Sequence, residues 1–345
     1  MNRPDARFDV TSLADLEPLF DTPQEAAIVR SATISTPMIG RSSGRRRTHC
    51  KDSRRYYRDS PMSAISHPVS KTARLTAAAR ARETRRPDAL FLDLFAEALA
   101  GPEGFELMER LEAASRPPGM TGPAENPYVV IRTRFIDDFL AAALSGPIQQ
   151  VVLVAAGLDT RPFRLTLAES LRWYELDRAD VLQVKQQVLD SLGAVPRCRR
   201  WPVDVDLERA DWGTALVEAG FEPLAPSLWV VEGLLPYLEE SAVRELLARI
   251  SRLAAPGSKL VADFPGQSLL LSPWVRPILE VMQRENAPWR FGTDEPEALF
   301  EAHGWRATAR RPGEDGVSWG RWPYPVPPRG ETQFPQSYIV TADRG

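Results

Sequence analysis

The stretch Val151-Val-Leu-Val-Ala155-Ala-Gly157-Leu-Asp159-Thr-Arg161 decides the fold class. It opens on a short continuous apolar run, the pattern of a strand buried on both faces. It closes in a tight polar turn with one glycine. Doubly wound sheets bind ligands outside the carboxyl ends of their strands, and a glycine there lets the ligand approach the backbone closely. The turn has neither G-x-G-x-x-G nor the Lys-Ser/Thr ending of a phosphate loop, so it gives little support to a dinucleotide or ATP site.

Outward from this strand, the chain alternates. Trp173–Leu176, Trp201–Val205, Ser227–Val231 and Lys259–Phe264 read as strands, with helices over Ala179–Leu192 and Glu239–Ala254. Thr293–His303 reads as a helix, and Trp305–Ala309 and Ser337–Thr341 as strands. No crossover helix separates the last two, so they are expected to form an antiparallel pair at one edge. Upstream, helices are expected over residues 70–82, 88–100, Glu103–Ser115 and Tyr128–Leu144. Asp88 is the expected N-cap of the second, and Gly101-Pro102 its stop. The last carries Val129, Ile131, Phe135, Ile136, Phe139 and Leu140 on one broad apolar face. The pattern predicts an α/β fold: an open, mostly parallel sheet with helices on both faces. A helical cap is expected over 62–146 and the sheet domain over 147–345, with a loop insertion around 265–330.

Composition narrows the function. The chain has 345 residues, and its 46 acidic and 43 basic side chains nearly cancel. That argues against nucleic-acid binding by bulk charge. No run approaches the ~20 apolar residues of a membrane span. Two cysteines, Cys50 and Cys198, rule out a disulfide scaffold or a cysteine-rich zinc site, and a reducing cytoplasm is the expected location. Only four of the 43 basic residues are lysine, which reads as genome composition, not as arginine chemistry. Residues 1–61 lack sustained periodicity, and 40–58 carry eight basic residues against one acid. They read as a disordered basic extension, as an RNA- or membrane-surface arm, or as sequence upstream of a true start at Met62.

Acids stand at the ends of strands two, three and four. In Trp173-Tyr-Glu175-Leu-Asp177, strand alternation places Glu175 and Asp177 on one side, with Asp177 nearer the carboxyl end. A carboxylate ~20 residues after the glycine turn can accept both ribose hydroxyls of an adenosine ligand. A helix N-cap is the plain alternative. Asp204 ends strand three, where an adenine would lie, and Glu232 ends strand four, where a reaction centre would sit. Each alone could be a cap or a solvated loop residue. Together they line one crevice.

These segments, with Val203-Asp-Val205 and Val231-Glu232-Gly-Leu-Leu-Pro-Tyr237, resemble in order and spacing the leucine carboxyl methyltransferase-like group of S-adenosylmethionine methyltransferases, which includes bacterial polyketide O-methyltransferases. Tyr128-Val-Val-Ile-Arg132 resembles the family's helix before strand one. Trp289-Arg-Phe-Gly-Thr293 and Gly320-Arg-Trp-Pro-Tyr-Pro-Val-Pro-Pro328 look most like the polyketide branch. The resemblance implies a Rossmann-like class I methyltransferase with a seven-stranded sheet and S-adenosyl-L-methionine as cofactor. It implies that Arg132 pairs with the methionine carboxylate, although a helix salt bridge to Asp137 or Asp138 is the plain alternative. Ala155 and Gly157 would give backbone contact to the methionine portion, and Asp177 would bind the ribose. Asp204 with the backbone of Val205 would hold adenine, and Glu232 would lie beside the cofactor, near the acceptor. One departure is Ala155, where the family commonly has glycine.

Methyl transfer is an in-line displacement in which an enzyme mostly supplies proximity and orientation. His303, the one histidine deep in the folded-looking region, sits at a helix end, where capping is the expected role. The missing histidine base favours a carboxylate acceptor, which needs no deprotonation at neutral pH. Tyr237 or a carboxylate could still serve a phenol. The acceptor pocket is expected between helices 70–120 and loop 265–330, where Trp274, Trp289, Trp319, Trp322 and Tyr324 offer aromatic walls. They would equally pack a long loop. The expected partner is a small-molecule acceptor, with no nucleic acid and no membrane, and no oligomeric state is indicated. Two rival readings are a protein C-terminal carboxyl methyltransferase and a binding homologue without activity.

Overall fold

A computed structural model of the chain describes residues 68–115, 126–209, 212–331 and 334–345. The readings made for residues 1–61 lie outside them.

The chain begins with α1 (Pro68–Thr84) and α2 (Ala96–Ser115), followed by α3 (Tyr128–Leu144). Then come β1 (Gln150–Val154), α4 (Arg161–Arg164), β2 (Arg172–Asp177), α5 (Ala179–Ser191), β3 (Arg199–Asp204), α6 (Trp212–Glu218) and β4 (Leu228–Val231). A 3₁₀ turn, Leu235–Tyr237, leads to α7 (Glu240–Leu253) and β5 (Lys259–Pro265). The chain ends with α8 (Gln267–Leu271), α9 (Arg276–Arg284), α10 (Pro296–Glu301), β6 (Trp305–Arg310) and β7 (Ser337–Arg344).

The seven strands form one sheet in the order β3-β2-β1-β4-β5-β7-β6. β1 to β5 pair in parallel, while β7 lies antiparallel to both β5 and β6. The expected α/β sheet and its antiparallel edge pair are both present. Order reverses between β1 and β4, so their carboxyl ends splay apart and open a crevice.

Strand alternation builds a core on each face. Val152, Val154, Trp229 and Val231 point to one side and pack with Val243, Leu247 and Ile250 of α7. Val151, Leu153, Leu228 and Val230 point to the other and pack with Ile131, Ile136 and Leu140 of α3. A third cluster joins α1, α2 and α5 through Ala77, Leu99, Val184 and Leu189, fastening the N-terminal helices to the sheet unit. Gly104 permits the close crossing of α1 and α2, since a Cβ there would fall 2.5 Å from the Arg74 carbonyl oxygen.

Some expected boundaries shift. Residues 88–95 are not helical, and α2 starts only at Ala96. Asp93, rather than Asp88, takes the turn: its Oδ1 accepts the Phe95 N–H, and its other oxygen is held by Arg80 and Thr160. Gly101-Pro102 breaks the backbone as expected, but as a kink inside one continuous element, with Gly101 at φ 58. Thr293–Glu295 stays outside α10. The two helices α8 and α9 lie within what reads as loop; each is short, five and nine residues.

Candidate functional site

A cavity of about 450 Å³ opens at the carboxyl ends of β1, β2, β4 and β5, roofed by α1, α2 and α9. Six of the seven expected cofactor residues line it: Arg132, Ala155, Gly157, Asp177, Val205 and Glu232, and Tyr237 joins them.

Gly157 and Asp177 form its innermost polar corner. The Gly157 N–H donates to Asp177 Oδ2 at 2.6 Å, and the Arg178 N–H donates to Oδ1 at 2.8 Å. Each oxygen keeps lone-pair capacity toward the cavity. Burial pushes the Asp177 carboxyl above its ordinary value, and the two backbone bonds only partly offset this. Gly157 sits at φ 48, and a Cβ there would crowd Ala73 of α1 at 3.3 Å. Ala155 holds a similar left-handed conformation, φ 59, despite its Cβ.

The opposite wall is an arginine–carboxylate network. Arg132 donates from Nε to Glu232 Oε1 and from Nη1 to Asp263 Oδ2, both at 2.8 Å, while Nη2 is the edge these carboxylates leave unused. Arg161 donates to Glu232 Oε2 and to Asp137 Oδ1 at 2.7 Å, and it also pairs with Asp159. Burial alone would raise the Glu232 carboxyl, but Arg161 and Arg132 outweigh it and hold the group down at about 2. Glu232 is therefore an anion at any physiological pH. The alternative salt bridges for Arg132 are not formed: Asp137 pairs with Arg161 and Arg164, and Asp138 with Arg134.

Asp204 is corrected. It is exposed and lies outside the cavity wall, whereas Val205, Asp206 and Leu207 line it. Strand β3 ends at Asp204 and the chain turns, with Asp206 Oδ1 accepting the Glu208 N–H. Alternation holds only within the strand, so the cavity-facing carboxylate comes two residues later. Glu175 is also separated from Asp177: it is fully buried, bound to Lys185 at 2.9 Å and Arg200 at 2.7 Å. Of the five aromatics, Trp289 and Trp322 line the cavity. Trp274 and Tyr324 are exposed, and Trp319 packs beneath the sheet. Tyr237 faces Thr72 and Trp289, and burial raises its phenol above the ordinary value. His303 bonds the Leu299 carbonyl at its helix end and lies outside the cavity.

Three wall residues carried no separate role in the sequence reading: Arg161, Asp263 and Tyr128. Each has a partner 71 to 135 residues away: Arg161 with Glu232, and Asp263 with Arg132 and Tyr128. The signal that could have found Asp263 is an acid near the carboxyl end of an apolar strand. Among the described residues, no cluster of three or more His, Cys, Asp or Glu side chains is arranged to hold a metal ion, and no helix is long and apolar enough to cross a membrane.

The sequence profile of the leucine carboxyl methyltransferase family matches residues 73–251. A Streptomyces coelicolor protein, named for S-adenosyl-L-methionine-dependent methyl transfer, is 39% identical over 275 residues, covering 74% of this chain and 88% of its own. A Saccharopolyspora erythraea protein of the same description is 34% identical over 295 residues, covering 80% and 96%. A crystal structure of a DUF574 family protein from Streptomyces avermitilis superposes with a TM-score of 0.51 at 16% identity, over 73% of this chain and 95% of that one, a likeness of fold.

Proposed function

The chain belongs to the leucine carboxyl methyltransferase family, and from that premise we propose that it is an S-adenosylmethionine-dependent O-methyltransferase of a small, largely apolar molecule, a polyketide or similar natural product. The observation that carries this is the Gly157–Asp177 corner, with its buried carboxylate, at the ends of β1 and β2 beside the strand switch point.

The donor set suits the cofactor. Asp177 would accept the ribose hydroxyls, and Val205 with Asp206 would flank the adenine. The unused Nη2 edge of Arg132 would meet the methionine carboxylate, next to the backbone at Ala155 and Gly157. Glu232, clamped by two guanidiniums, fixes Arg132 and Arg161 and is too weak a base to take a proton. When bound, the sulfonium supplies an activated methyl group with a neutral thioether as leaving group. The protein's part is to hold the acceptor oxygen in line and exclude water. The far half of the cavity suits an apolar acceptor, with Met108, Leu111, Ile278, Met282 and Trp289 on its walls.

Calorimetric titration with S-adenosylmethionine tests the cofactor, and absence of binding overturns the reading. Incubation with methyl-labelled S-adenosylmethionine and a cell extract tests the acceptor class. Label in a small molecule as an ester or ether is expected. Label on protein points instead to carboxyl methylation of a chain terminus, and label on nitrogen, sulfur or carbon overturns O-methylation.

A further inference from the structure

The proton balance of the reaction can be read from the cavity wall beside Arg132. Tyr128, at the start of α3, lines it, and its hydroxyl lies 3.0 Å from Asp263 Oδ2 and 3.5 Å from the Tyr338 carbonyl oxygen. Asp263, near the end of β5, lines the cavity too and is 2% exposed. Its Oδ2 also accepts from Arg132 Nη1, and its Oδ1 accepts the Gly233 N–H at 2.7 Å. A phenol hydrogen-bonded to a buried carboxylate is a two-step proton path, and both residues line the cavity. Beyond Tyr128 the wall turns apolar. The one described ion pair on that side joins Arg82 of α1 to Glu112 of α2. Arg80, Arg82, Arg132, Arg161 and Arg178, the described cavity arginines, are each already within ion-pair distance of a carboxylate. An anionic acceptor would lose its hydration there, and the free edge of Arg132 is the one the cofactor carboxylate takes in the reading above.

We propose that the methyl acceptor is a neutral, largely apolar molecule presenting a hydroxyl group, and that Tyr128 relays its proton to Asp263. This rests on the O-methyltransferase reading above. An oxygen lone pair of the acceptor forms the new O–C bond as the S–C bond of the sulfonium breaks, and that bond's electron pair stays on the neutral sulfur. The acceptor's hydroxyl proton passes to Tyr128 Oη while the Tyr128 proton passes to Asp263 Oδ2, which ends as the carboxylic acid. Tyr128 suits a relay, since burial and then Asp263 raise its phenol well above the ordinary value and keep it protonated between turnovers. The missing histidine base, which favours a carboxylate acceptor on sequence grounds, is made good by a carboxylate one hydrogen bond behind the wall.

The probes are 2-naphthol and 2-naphthoic acid, matched in shape and differing in charge at pH 7. Binding is measured by calorimetry to the full chain saturated with S-adenosylhomocysteine, and turnover with methyl-labelled S-adenosylmethionine. Naphthol is expected to bind at least ~10-fold tighter than naphthoate, since an unpaired buried charge is costly. Tyr128→Phe is expected to bind S-adenosylhomocysteine within about threefold of wild type and to lower naphthol kcat by about 10²-fold, the usual reach of a positioned acid or base. At saturating naphthol the lost kcat should return as the pH approaches the naphthol pKa, where no relay is needed, a profile that a purely structural role would not produce. Ile278→Arg, which places a new cation in the apolar half, should shift the preference toward naphthoate. The proposal is overturned if naphthoate binds as tightly as naphthol, if neither binds, if bound naphthol is not methylated, or if Tyr128→Phe keeps the wild-type rate. Failure of S-adenosylhomocysteine to bind wild type would instead overturn the cofactor reading.

Discussion

Arg161 donates to Glu232 Oε2 at 2.7 Å, tying the turn after β1 to the end of β4 across 71 residues of sequence. Arg132 holds the other oxygen, so one carboxylate locks two buried guanidiniums against the cavity floor. Glu232→Gln would leave both short of their counter-charge, at a cost of about 3–5 kcal/mol in unfolding free energy at pH 7. The pH dependence follows from the lowered carboxyl. Held at about 2 against an ordinary 4.5, it contributes stability that is fully present above 4.5 and lost as the pH falls toward 2. That shift corresponds to about 3 kcal/mol. Urea unfolding of both proteins from pH 7 to pH 2.5 should show the gap narrowing below 4.5. A gap independent of pH would exclude this role for the Glu232 charge.

Asp177→Asn tests the adenosine end. The carboxylate accepts from two backbone N–H groups, whereas an amide must turn its NH₂ toward one of them. Loss of a charged acceptor for the ribose hydroxyls should weaken S-adenosylhomocysteine about 10–100-fold, the range of a hydrogen bond to a charged group. Because burial raises the Asp177 carboxyl, wild-type affinity should fall on acidification at a pH above the ordinary aspartate value of 3.8. Calorimetry at stepped pH checks both expectations. An Asn variant binding as tightly as wild type would remove Asp177 from the site.

What the sequence disclosed and what it withheld divide along one physical line. Gly157 and Asp177 were legible as cavity-lining residues because one lies in the turn after β1 and the other ends β2, consecutive strands of a βαβ unit whose spacing is regular. Asp204 misled because alternation stops where β3 stops, and the turn carries Asp206 to the wall instead. Residues 88–95 misled because Asp93 is drawn under α1 by Arg80 and Thr160, contacts 13 and 67 residues distant. Arginine abundance, read as genome composition, concealed that Arg161 and Arg164 hold buried ion pairs with Asp137. Local pattern marks the ends of elements, whereas the partner of a buried charge is set by tertiary packing.

Gly104→Ala probes the cap itself. The new Cβ would lie 2.5 Å from the Arg74 carbonyl oxygen and 3.1 Å from the Arg74 Cβ, so α1 and α2 must separate. Overpacking of this kind costs about 1–3 kcal/mol. Because α1 and α2 both line the cavity, acceptor affinity should fall with stability, while binding at the Asp177 corner changes less. Equal loss of S-adenosylhomocysteine and naphthol affinity would show that the cap and the sheet site respond as one unit.

Ala155 occupies a backbone conformation that side chains disfavour, φ 59, one residue after β1. A non-glycine residue there carries strain of about 1–2 kcal/mol. Glycine relieves it but loses about 0.5–1 kcal/mol more to the flexibility of the unfolded chain. Ala155→Gly should therefore be neutral to stabilising by about 1 kcal/mol, by difference of those two effects. Removing the Cβ also lets a ligand approach the backbone more closely, so S-adenosylhomocysteine affinity should hold or improve. Ala155→Val adds a branched side chain to the same strained position and into the cavity, and it should lose both stability and cofactor binding. Paired thermal unfolding and calorimetry distinguish the cases. If the glycine variant were less stable than wild type and bound more weakly, the Ala155 methyl would be making a favourable contact that outweighs the strain.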